Sequence, residues 1–315
     1  MRKMPTIEEC AAFLRERDGY LILTHKRPDG DTLGCAAALC HALRRLGKRA
    51  CLCPNPDITE HFLPFVAPYL GESGEGETVL SVDIAEPKLF PAGFAGGPVE
   101  LAIDHHPTNS GFARRTLLWA EKAACGEIVL ELIEAMMGGL TPEEADALYM
   151  AVSTDCGCFQ YGNTNAAVHR AAAKLLDYGA HVAALNKALF RSSSPARLRL
   201  EGQIFSTMRT YHQDEISVVV VTREMLAACG ATEDDTDDLA NLAGRMRGNR
   251  ITITVQEQAD GRVHGSVRTD GSVNATKICA RFGGGGHVRA SGCTVDLSAQ
   301  ELAAGLLEAV EQAMA

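Results

Sequence analysis

The chain has 315 residues, more than one hydrophobic core usually supports, so the length predicts two domains. Its composition, 46% hydrophobic and 22% charged residues, is typical of a soluble globular protein. The formal net charge of −10 argues against a long nucleic-acid duplex as partner, because neutralising several phosphates requires a positive face.

Neither a membrane segment nor a secretion signal is expected. No apolar run approaches the roughly 18 residues of a membrane helix, and residues 1–16 lack the apolar core of a signal peptide. The 11 cysteines are an odd number, and Cys51-x-Cys53 and Cys156-x-Cys158 have the wrong spacing for a zinc site. Reduced thiols and a cytoplasmic location are therefore predicted.

Residues 1–190 alternate predicted strands with predicted helices. Apolar runs predict strands at 20–24, 49–53, 78–82 and 99–103, and helical patterns cover 31–46, 126–137, 141–152 and 165–178. This alternation implies a parallel sheet with helices on both faces, so the fold class is α/β. In such sheets, ligands bind beyond the carboxyl ends of the strands.

Histidines and carboxylates follow the predicted strands. They are His25, Asp29, Asp31, Asp83, Asp104, His105, His106 and Asp155. The first three follow the strand at 20–24, Asp83 closes the strand at 78–82, and the Asp-His-His triplet follows the strand at 99–103. Asp155 comes after a similar apolar run. We therefore expect these four segments to meet at one edge of the sheet.

Imidazoles and carboxylates without a thiolate select borderline-to-hard divalent ions, with Mn²⁺ favoured and Mg²⁺ or Co²⁺ as alternatives. Three ligands would suffice for a single ion. Six or seven ligands from four segments instead suggest two ions about 3.5–4 Å apart that share one carboxylate. Such a pair activates a water for in-line attack on phosphorus. The pattern therefore predicts a two-metal hydrolase.

Each segment alone also has a structural explanation. His25 could be a histidine whose hydrogen bonds are satisfied at a strand end. Asp29 and Asp31 could be turn residues, with Asp31 capping the next helix. Asp83 could begin an Asx turn. Their joint placement on segments that a parallel sheet brings together favours the metal site.

The pattern changes after a predicted linker at 191–200. Strands at 216–221, 251–256 and 262–268 and a helix at 273–282 predict a smaller mixed α/β domain over 201–315. Residues 240–290 contain eight arginines or lysines and three acids, a local charge of about +5. This stretch suits a small anionic ligand better than a duplex.

Four successive glycines, Gly283 to Gly286, end the last predicted helix and precede His287. Such glycines free backbone N–H groups to form an anion-binding nest, and His287 adds charge. No Gly-Lys-Ser/Thr follows, so this is not a Walker loop, and the preceding helix argues against a dinucleotide fingerprint. A flexible glycine turn is the structural alternative.

Taken in order, these motifs resemble the DHH phosphoesterase superfamily, named for the triplet that is Asp104-His105-His106 here. The stretch 25–31 resembles the first motif, Val82-Asp83 the second, 154–157 the fourth, and 282–292 the glycine-rich signature of the DHH-associated domain. The resemblance is nearest to the NrnA-type group, oligoribonucleases that also dephosphorylate 3′-phosphoadenosine 5′-phosphate. It implies a DHH catalytic domain at 1–190, a DHH-associated substrate-binding domain at 201–315, and a metal site in the cleft between them.

The resemblance also implies roles for the residues. One ion is held by His25, Asp29 and Asp83, and the other by Asp31, Asp83, His105 and Asp155. His106 contacts the scissile phosphate, and Asp104 orients a ligand imidazole. In the second domain, Arg268 and His287 bind substrate phosphate, and the glycines Gly284, Gly285 and Gly286 pass close to the nucleotide.

The predicted function is the hydrolysis of very short oligonucleotides, including linear dinucleotides, to mononucleotides, together with removal of the 3′-phosphate from 3′-phosphoadenosine 5′-phosphate. An inorganic pyrophosphatase or polyphosphatase is the enzymatic alternative, since a related family shares the first domain. A nucleotide-sensing module without catalysis is the other alternative. A homodimer is expected from the resemblance, and no membrane partner is expected.

Overall fold

The computed structural model describes residues 4–71, 78–236 and 239–314. The chain divides into two compact units, Met1–Ser192 and Ser193–Ala315. Within the predicted linker at 191–200, residues from Pro195 onward are helical, because Ser194 caps this helix through its side chain and proline suits the first turn. The functional assignment of the two ranges, and a site between them, stay predictions.

The first unit contains a sheet and the helices that pack on it. Its strands are β1 (Tyr20–Leu23), β2 (Ala50–Leu52), β3 (Thr78–Val82), β4 (Leu101–Asp104) and β5 (Arg115–Leu118). Its helices are α1 (Ile7–Glu16), α2 (Gly30–Arg45), α3 (Leu63–Val66), α4 (Cys125–Met137), α5 (Pro142–Asp155), α6 (Ala166–Asp177) and α7 (Val182–Phe190).

All strand pairs of the first sheet are parallel, in the order β2-β1-β3-β4-β5. The carboxyl ends of β1, β3 and β4 therefore lie side by side at one edge. His25 follows β1, Asp83 directly follows β3, and Asp104 is the last residue of β4. This register brings three of the four predicted segments together.

Within the described residues, the α-helices of this unit pack on one face of the sheet. Tyr20, Ile22, Leu80 and Ile103 pack into the core that α1, α2, α4 and α5 share. The opposite face, which includes Leu21, is covered by the connections flanking β4, with three interlocking phenylalanines: Phe90, Phe94 and Phe112. The prediction of helices on both faces was therefore wrong. Apolar strands indicate burial on both faces, but they do not indicate what covers each face.

Helices α2 and α5 approach closely because α2 carries glycines where they meet. A Cβ atom on Gly34 would lie 2.2 Å from the carbonyl oxygen of Ala147. A Cβ atom on Gly30 would lie 2.4 Å from the Thr154 hydroxyl oxygen. The fourth predicted segment, Asp155 at the end of α5, is thereby placed beside the start of α2.

The second unit is built on one mixed sheet. Its strands are β6 (Arg209–Tyr211), β7 (Ile216–Val221), β8 (Ile251–Glu257), β9 (Val263–Thr269), β10 (Gly285–His287) and β11 (Ala290–Val295). Its helices are α8 (Pro195–Thr207), α9 (Arg223–Cys229), α10 (Leu239–Leu242), α11 (Ala275–Ala280) and α12 (Ala299–Met314).

The strand order is β10-β11-β9-β8-β7-β6, with β7 and β8 parallel and the other pairs antiparallel. Inward residues such as Ile253 and Val267 pack against Leu302 and Leu306 of α12. The predicted α/β class, with a parallel first sheet and a smaller mixed second domain, is confirmed. Among the described helices, none is long and apolar enough to cross a membrane.

Candidate active site

The first group of predicted ligands is His25, Asp29 and Asp83, whose ligand atoms lie within 4.8 Å of one another. His25 Nε2 is 3.5 Å from Asp29 Oδ1 and 3.7 Å from Asp83 Oδ2. His25 Nδ1 donates to the backbone carbonyl of Lys26 at 2.9 Å, because a carbonyl can only accept. This bond leaves Nε2 facing the carboxylates.

Asp29 is the N-cap of α2 and accepts from the backbone N–H groups of Asp31 and Thr32 through Oδ1. The alternative explanation gave the capping role to Asp31, but helix α2 begins at Gly30, one residue earlier than predicted. Asp31 thus lies inside the first turn and is 1% exposed. Its side chain does not cap its own helix and turns into the site.

The second group of predicted ligands is Asp31, His105 and Asp155, again within 4.8 Å of one another. His105 Nε2 is 3.9 Å from Asp31 Oδ2, 4.0 Å from Asp155 Oδ2 and 3.4 Å from Asp83 Oδ1. Asp83 therefore faces His25 with one oxygen and His105 with the other. The structure brings together all six residues predicted as ligands, with Asp83 between the two groups.

The electrostatics of the site fit a pair of cations. Burial raises the pKa of Asp31, and repulsion from Asp83 and Asp155 adds to it. Burial likewise raises the pKa of Asp83, and raises the pKa of Asp155 to about 7. Three carboxylates crowded out of water need positive charge beside them to ionise together. Two divalent ions would supply it.

The excess of negative charge in the site also raises the pKa values of its histidines. Burial would lower the pKa of His25, but Asp29 and Asp83 raise it to about 9. Burial opposes the pKa rise of His105 too, and Asp83, Asp31 and Asp155 carry it to about 10. Oδ1 of Asp83 is buried and accepts no hydrogen bond from any described residue. A buried carboxylate oxygen without a hydrogen bond is available as a ligand for a cation.

The backbone of Asp83 is in the left-handed region, with φ of 59°. Asp83 is 3% exposed, and its N–H continues the sheet by donating to the Ile103 carbonyl at 2.9 Å. Such a conformation costs a non-glycine residue about 1–3 kcal/mol and persists where the surrounding structure holds it, commonly at functional sites.

The carboxylate of Asp104, fully buried at the end of β4, bonds the ring of His106 and not the ring of His105, of which it binds only the backbone N–H. Its Oδ1 accepts from His106 Nδ1 at 2.8 Å, and its Oδ2 accepts from Asn109 Nδ2 at 2.5 Å. Burial would raise the pKa of Asp104, but these donors lower it. The bond to Asp104 is the main reason that the pKa of His106 is raised. His106 Nε2 is left for another partner.

This arrangement differs from the expectation that Asp104 orients a ligand imidazole. The ring of His105 is oriented from elsewhere, by its Nδ1 donating to the backbone carbonyl of Lys122 at 3.2 Å. The sequence carries no side-chain signal for that contact, because every residue has a carbonyl. The predicted helix start at 126 was the only sign that this segment presents its backbone to the site.

Comparison with known proteins then identifies the family. The family model described as "DHH family, N-terminal domain" matches residues 20–152, and the model described as "DHHA1 domain" matches residues 214–315. A Thermus thermophilus protein named "Bifunctional oligoribonuclease and PAP phosphatase NrnA" is 35% identical over 299 residues, 92% of this chain and 89% of the relative. The chain belongs to the DHH family.

Further comparisons agree with this membership. A Mycoplasma genitalium protein of the same name is 25% identical over 310 residues, 93% of each chain. A solved structure described as an exopolyphosphatase-related protein from Bacteroides fragilis has a TM-score of 0.86 at 24% identity, covering 98% of this chain and 95% of that one. This second likeness shows the fold alone. As a DHH-family member the protein is a metal-dependent phosphoesterase, which confirms the predicted enzyme class.

The DHHA1 domain of this DHH-family protein places Arg268 and His287 on one face of its sheet. Ala290 of β11 is directly opposite His287 of β10 and Arg268 of β9. Residues opposite one another on paired strands point to the same face. Val267 points toward α12, so Arg268 and His287 point away from it, with the small side chain of Ala290 between them.

Part of the glycine run forms a β-strand, whereas an irregular anion-binding nest was predicted. Gly285 to His287 form an exposed edge strand paired with β11, and the Gly284 N–H donates to the Cys279 carbonyl at 2.9 Å. A Cβ atom on Gly284 would lie 2.2 Å from the Gly292 carbonyl oxygen, so close strand pairing is one reason for the glycine. The glycine run therefore forms an edge strand in place of the predicted loop, and binding of an anion by its remaining backbone N–H groups stays a prediction.

Proposed function

We propose that the protein hydrolyses oligoribonucleotides of about two to five nucleotides, including linear dinucleotides, to mononucleotides. We propose also that it removes the 3′-phosphate of 3′-phosphoadenosine 5′-phosphate. The observation that carries this proposal is the pair of ligand groups with Asp83 in contact distance of both, in a chain that aligns along 92% of its length with a protein named for both activities.

In this proposal the two ligand groups hold two divalent ions, with Mn²⁺ preferred and Mg²⁺ or Co²⁺ as alternatives. The two imidazoles and four carboxylates present no thiolate, which is the donor chemistry of such ions. Bound there, the ions would stabilise negative charge on the phosphoryl oxygens and make an attacking water more acidic.

The chain's own residues do the rest of the chemistry. The buried carboxylate of Asp104 fixes the His106 ring and favours its protonated form, so that Nε2 can donate to the scissile phosphate or the leaving oxygen. Asp31, Asp83 and Asp155 would be the carboxylates that hold the ions. Arg268 and His287 bind a second substrate phosphate, and Gly285 and Gly286 lie in the same edge strand as His287, directly after Gly284.

The substrate is tested by one competition series under Mn²⁺. The specific activity is measured on 3′-phosphoadenosine 5′-phosphate, a diribonucleotide, a five-mer, a 24-mer and inorganic pyrophosphate. We expect the dinucleotide and the 3′-phosphate substrate to be turned over fastest, and chelation by EDTA to abolish both activities until Mn²⁺ is restored. Preference for pyrophosphate would favour the alternative enzyme, and preference for the 24-mer would contradict the proposal.

Arg268→Ala is expected to raise the KM for a diribonucleotide by about 10–100-fold with little change in kcat. A charge-assisted hydrogen bond to phosphate contributes about 1.5–3 kcal/mol, and its loss affects ground state and transition state alike. Steady-state kinetics measures this effect. Arg262→Ala is the matched control, because Arg262 is an exposed arginine paired with Asp260. A fall in kcat at unchanged KM would contradict the role given to Arg268.

The proposal extends to the setting of the enzyme. We propose a cytoplasmic location, because the eleven cysteines form no disulfide in the described residues, which suits a reducing compartment. A homodimer is proposed from the family resemblance, and light scattering of the purified protein tests it.

A further inference from the structure

A short backbone segment, residues 122–126, contacts two of the three residues of the second ligand group directly. We refer to it as the bridging segment. The Lys122 carbonyl accepts from His105 Nδ1 at 3.2 Å. The backbone N–H groups of Cys125 and Gly126 donate to the two carboxylate oxygens of Asp31 at 2.7 and 2.9 Å.

The contacts to Asp31 explain an anomaly in helix α4. The N-cap of α4 is Ala124, which has no side-chain hydrogen bond to offer, although alanine at this position usually costs about 1 kcal/mol. Asp31 takes over the capping role from another helix. The start of α4 and the Asp31 carboxylate are therefore fixed to each other.

Asn163 links the bridging segment to the third residue of the group. Its Nδ2 donates to the Ala123 carbonyl at 3.2 Å and to the Asp155 carbonyl at 3.1 Å. Asp155 ends helix α5 and is followed by residues 157–159, all with positive φ, so helical bonds do not fix its position from that side. The Asn163 amide does so by joining it to the bridging segment.

The first ligand group is positioned by other contacts. Asn55 Nδ2 donates to the His25 carbonyl at 2.9 Å, and Asp29 is held by the N–H groups that it caps. Within the described residues, no hydrogen bond joins the bridging segment to His25 or Asp29. The segment is thus specific to one of the two groups.

One buried side chain holds the bridging segment in place. Glu127, 2% exposed in the first turn of α4, accepts from the Ala123 N–H through Oε1 at 2.8 Å. Its Oε2 lies 3.7 Å from Lys122 Nζ. Lys122 has a second, outer partner in Glu131 at 2.8 Å. Glu127 therefore ties the segment to the first turn of α4.

We propose that Glu127 is a positioning residue that, through the bridging segment, sets the metal affinity of the Asp31–His105–Asp155 group without acting on the His25–Asp29–Asp83 group. Groups that orient metal ligands typically change metal affinity by about 10–100-fold when they are removed. Glu127 acts on His105 and Asp31 through this strip of backbone, and on Asp155 through the Asn163 amide that the same strip holds. This inference rests on the proposed two-ion site.

The test titrates Mn²⁺ into metal-free protein without substrate, by calorimetry and by electron paramagnetic resonance of free Mn²⁺. The wild type is expected to bind two ions. Glu127→Ala is expected to weaken one of them by about 10–100-fold and to leave the other within about threefold. The weakened site is the one that Asp155→Asn removes, and this assigns it to the second group.

Two further variants and one control distinguish loss of ligand positioning from a general loss of stability. Glu127→Gln keeps an Oε1 acceptor for Ala123 and is expected to bind both ions within about threefold of the wild type. Asn163→Ala, on an exposed loop, is expected to weaken the same site as Glu127→Ala without a buried cavity. Glu131→Ala is the matched control, since it removes only the outer partner of Lys122.

The outcomes distinguish this inference from the proposed function. A wild type that binds fewer than two ions would remove the two-ion site itself. If the wild type binds two ions but the Glu127→Ala and Asn163→Ala variants keep both Mn²⁺ affinities unchanged, only the positioning role is overturned. Equal weakening of both sites in Glu127→Ala, or a Glu127→Gln variant as weak as the alanine, would overturn it also.

Discussion

Asp83→Asn is expected to lower the turnover of a diribonucleotide by about a thousandfold or more. Asp83 is the one carboxylate that faces both ligand groups, with Oδ2 3.7 Å from His25 and Oδ1 3.4 Å from His105. Stabilisation of transition-state charge by bound metal is worth several kcal/mol, and each 1.36 kcal/mol is about tenfold in rate. The amide keeps the shape of the side chain but not its charge.

The measurement is single-turnover hydrolysis at saturating Mn²⁺, with the number of bound ions determined in parallel. Asp18→Asn is the control, because Asp18 is a partly exposed aspartate beside Arg49 at the amino end of β1. It is expected to retain activity. An Asp83→Asn variant that kept wild-type turnover would refute the shared role of Asp83, and a cellular function that survived its loss of turnover would favour the nucleotide-sensing alternative.

Gly34→Ala is expected to destabilise the protein by about 1–3 kcal/mol or more and to separate Asp31 from Asp155. The added Cβ would lie 2.2 Å from the Ala147 carbonyl oxygen and 2.9 Å from the Ala151 amide nitrogen. Both are backbone atoms of α5, so a whole helix has to move, which is the overpacking penalty of a tight core. In a unit of this size, each kcal/mol lowers Tm by about 2–4 °C.

Thermal unfolding measures the change in stability, and Mn²⁺ titration measures the damage to the second ligand group. Gly202→Ala is the matched control, because Gly202 lies inside α8 with open space where its Cβ would be. That change is expected to stabilise by about 0.5–1 kcal/mol, since glycine disfavours helix interiors. A Gly34→Ala protein with unchanged Tm would show that α2 and α5 are not in direct backbone contact.

The histidines and aspartates of the site could be predicted from the sequence, because their residue types alone indicate metal ligands. The strand at 78–82 was predicted with its observed bounds, and the residues after it and after β4 fell where parallel strands must end. The predicted ligands converge because strand ends of a parallel sheet converge. Asp155 is instead the last residue of a helix, and it reaches the site because Gly30 and Gly34 let α5 lie against α2.

Features that depend on backbone groups were not predictable. The Lys122 carbonyl that orients His105, and the N–H groups that hold Asp31, belong to every residue alike. Strand β5 at Arg115–Leu118 was missed, since its half-exposed edge position leaves no continuous apolar run. A loop was predicted for the glycine run because glycine disfavours strands. In the structure, pairing of Gly285–His287 with β11 overrides that preference.

The left-handed backbone of Asp83 has a consequence for how the chain can evolve. A glycine at this position would relax the conformation and remove a buried charge, so folding alone disfavours the aspartate on which the proposed activity depends. Selection for folding stability and selection for catalytic rate therefore act on position 83 in opposite directions. Descendants freed from the need to hydrolyse anything should lose this aspartate early.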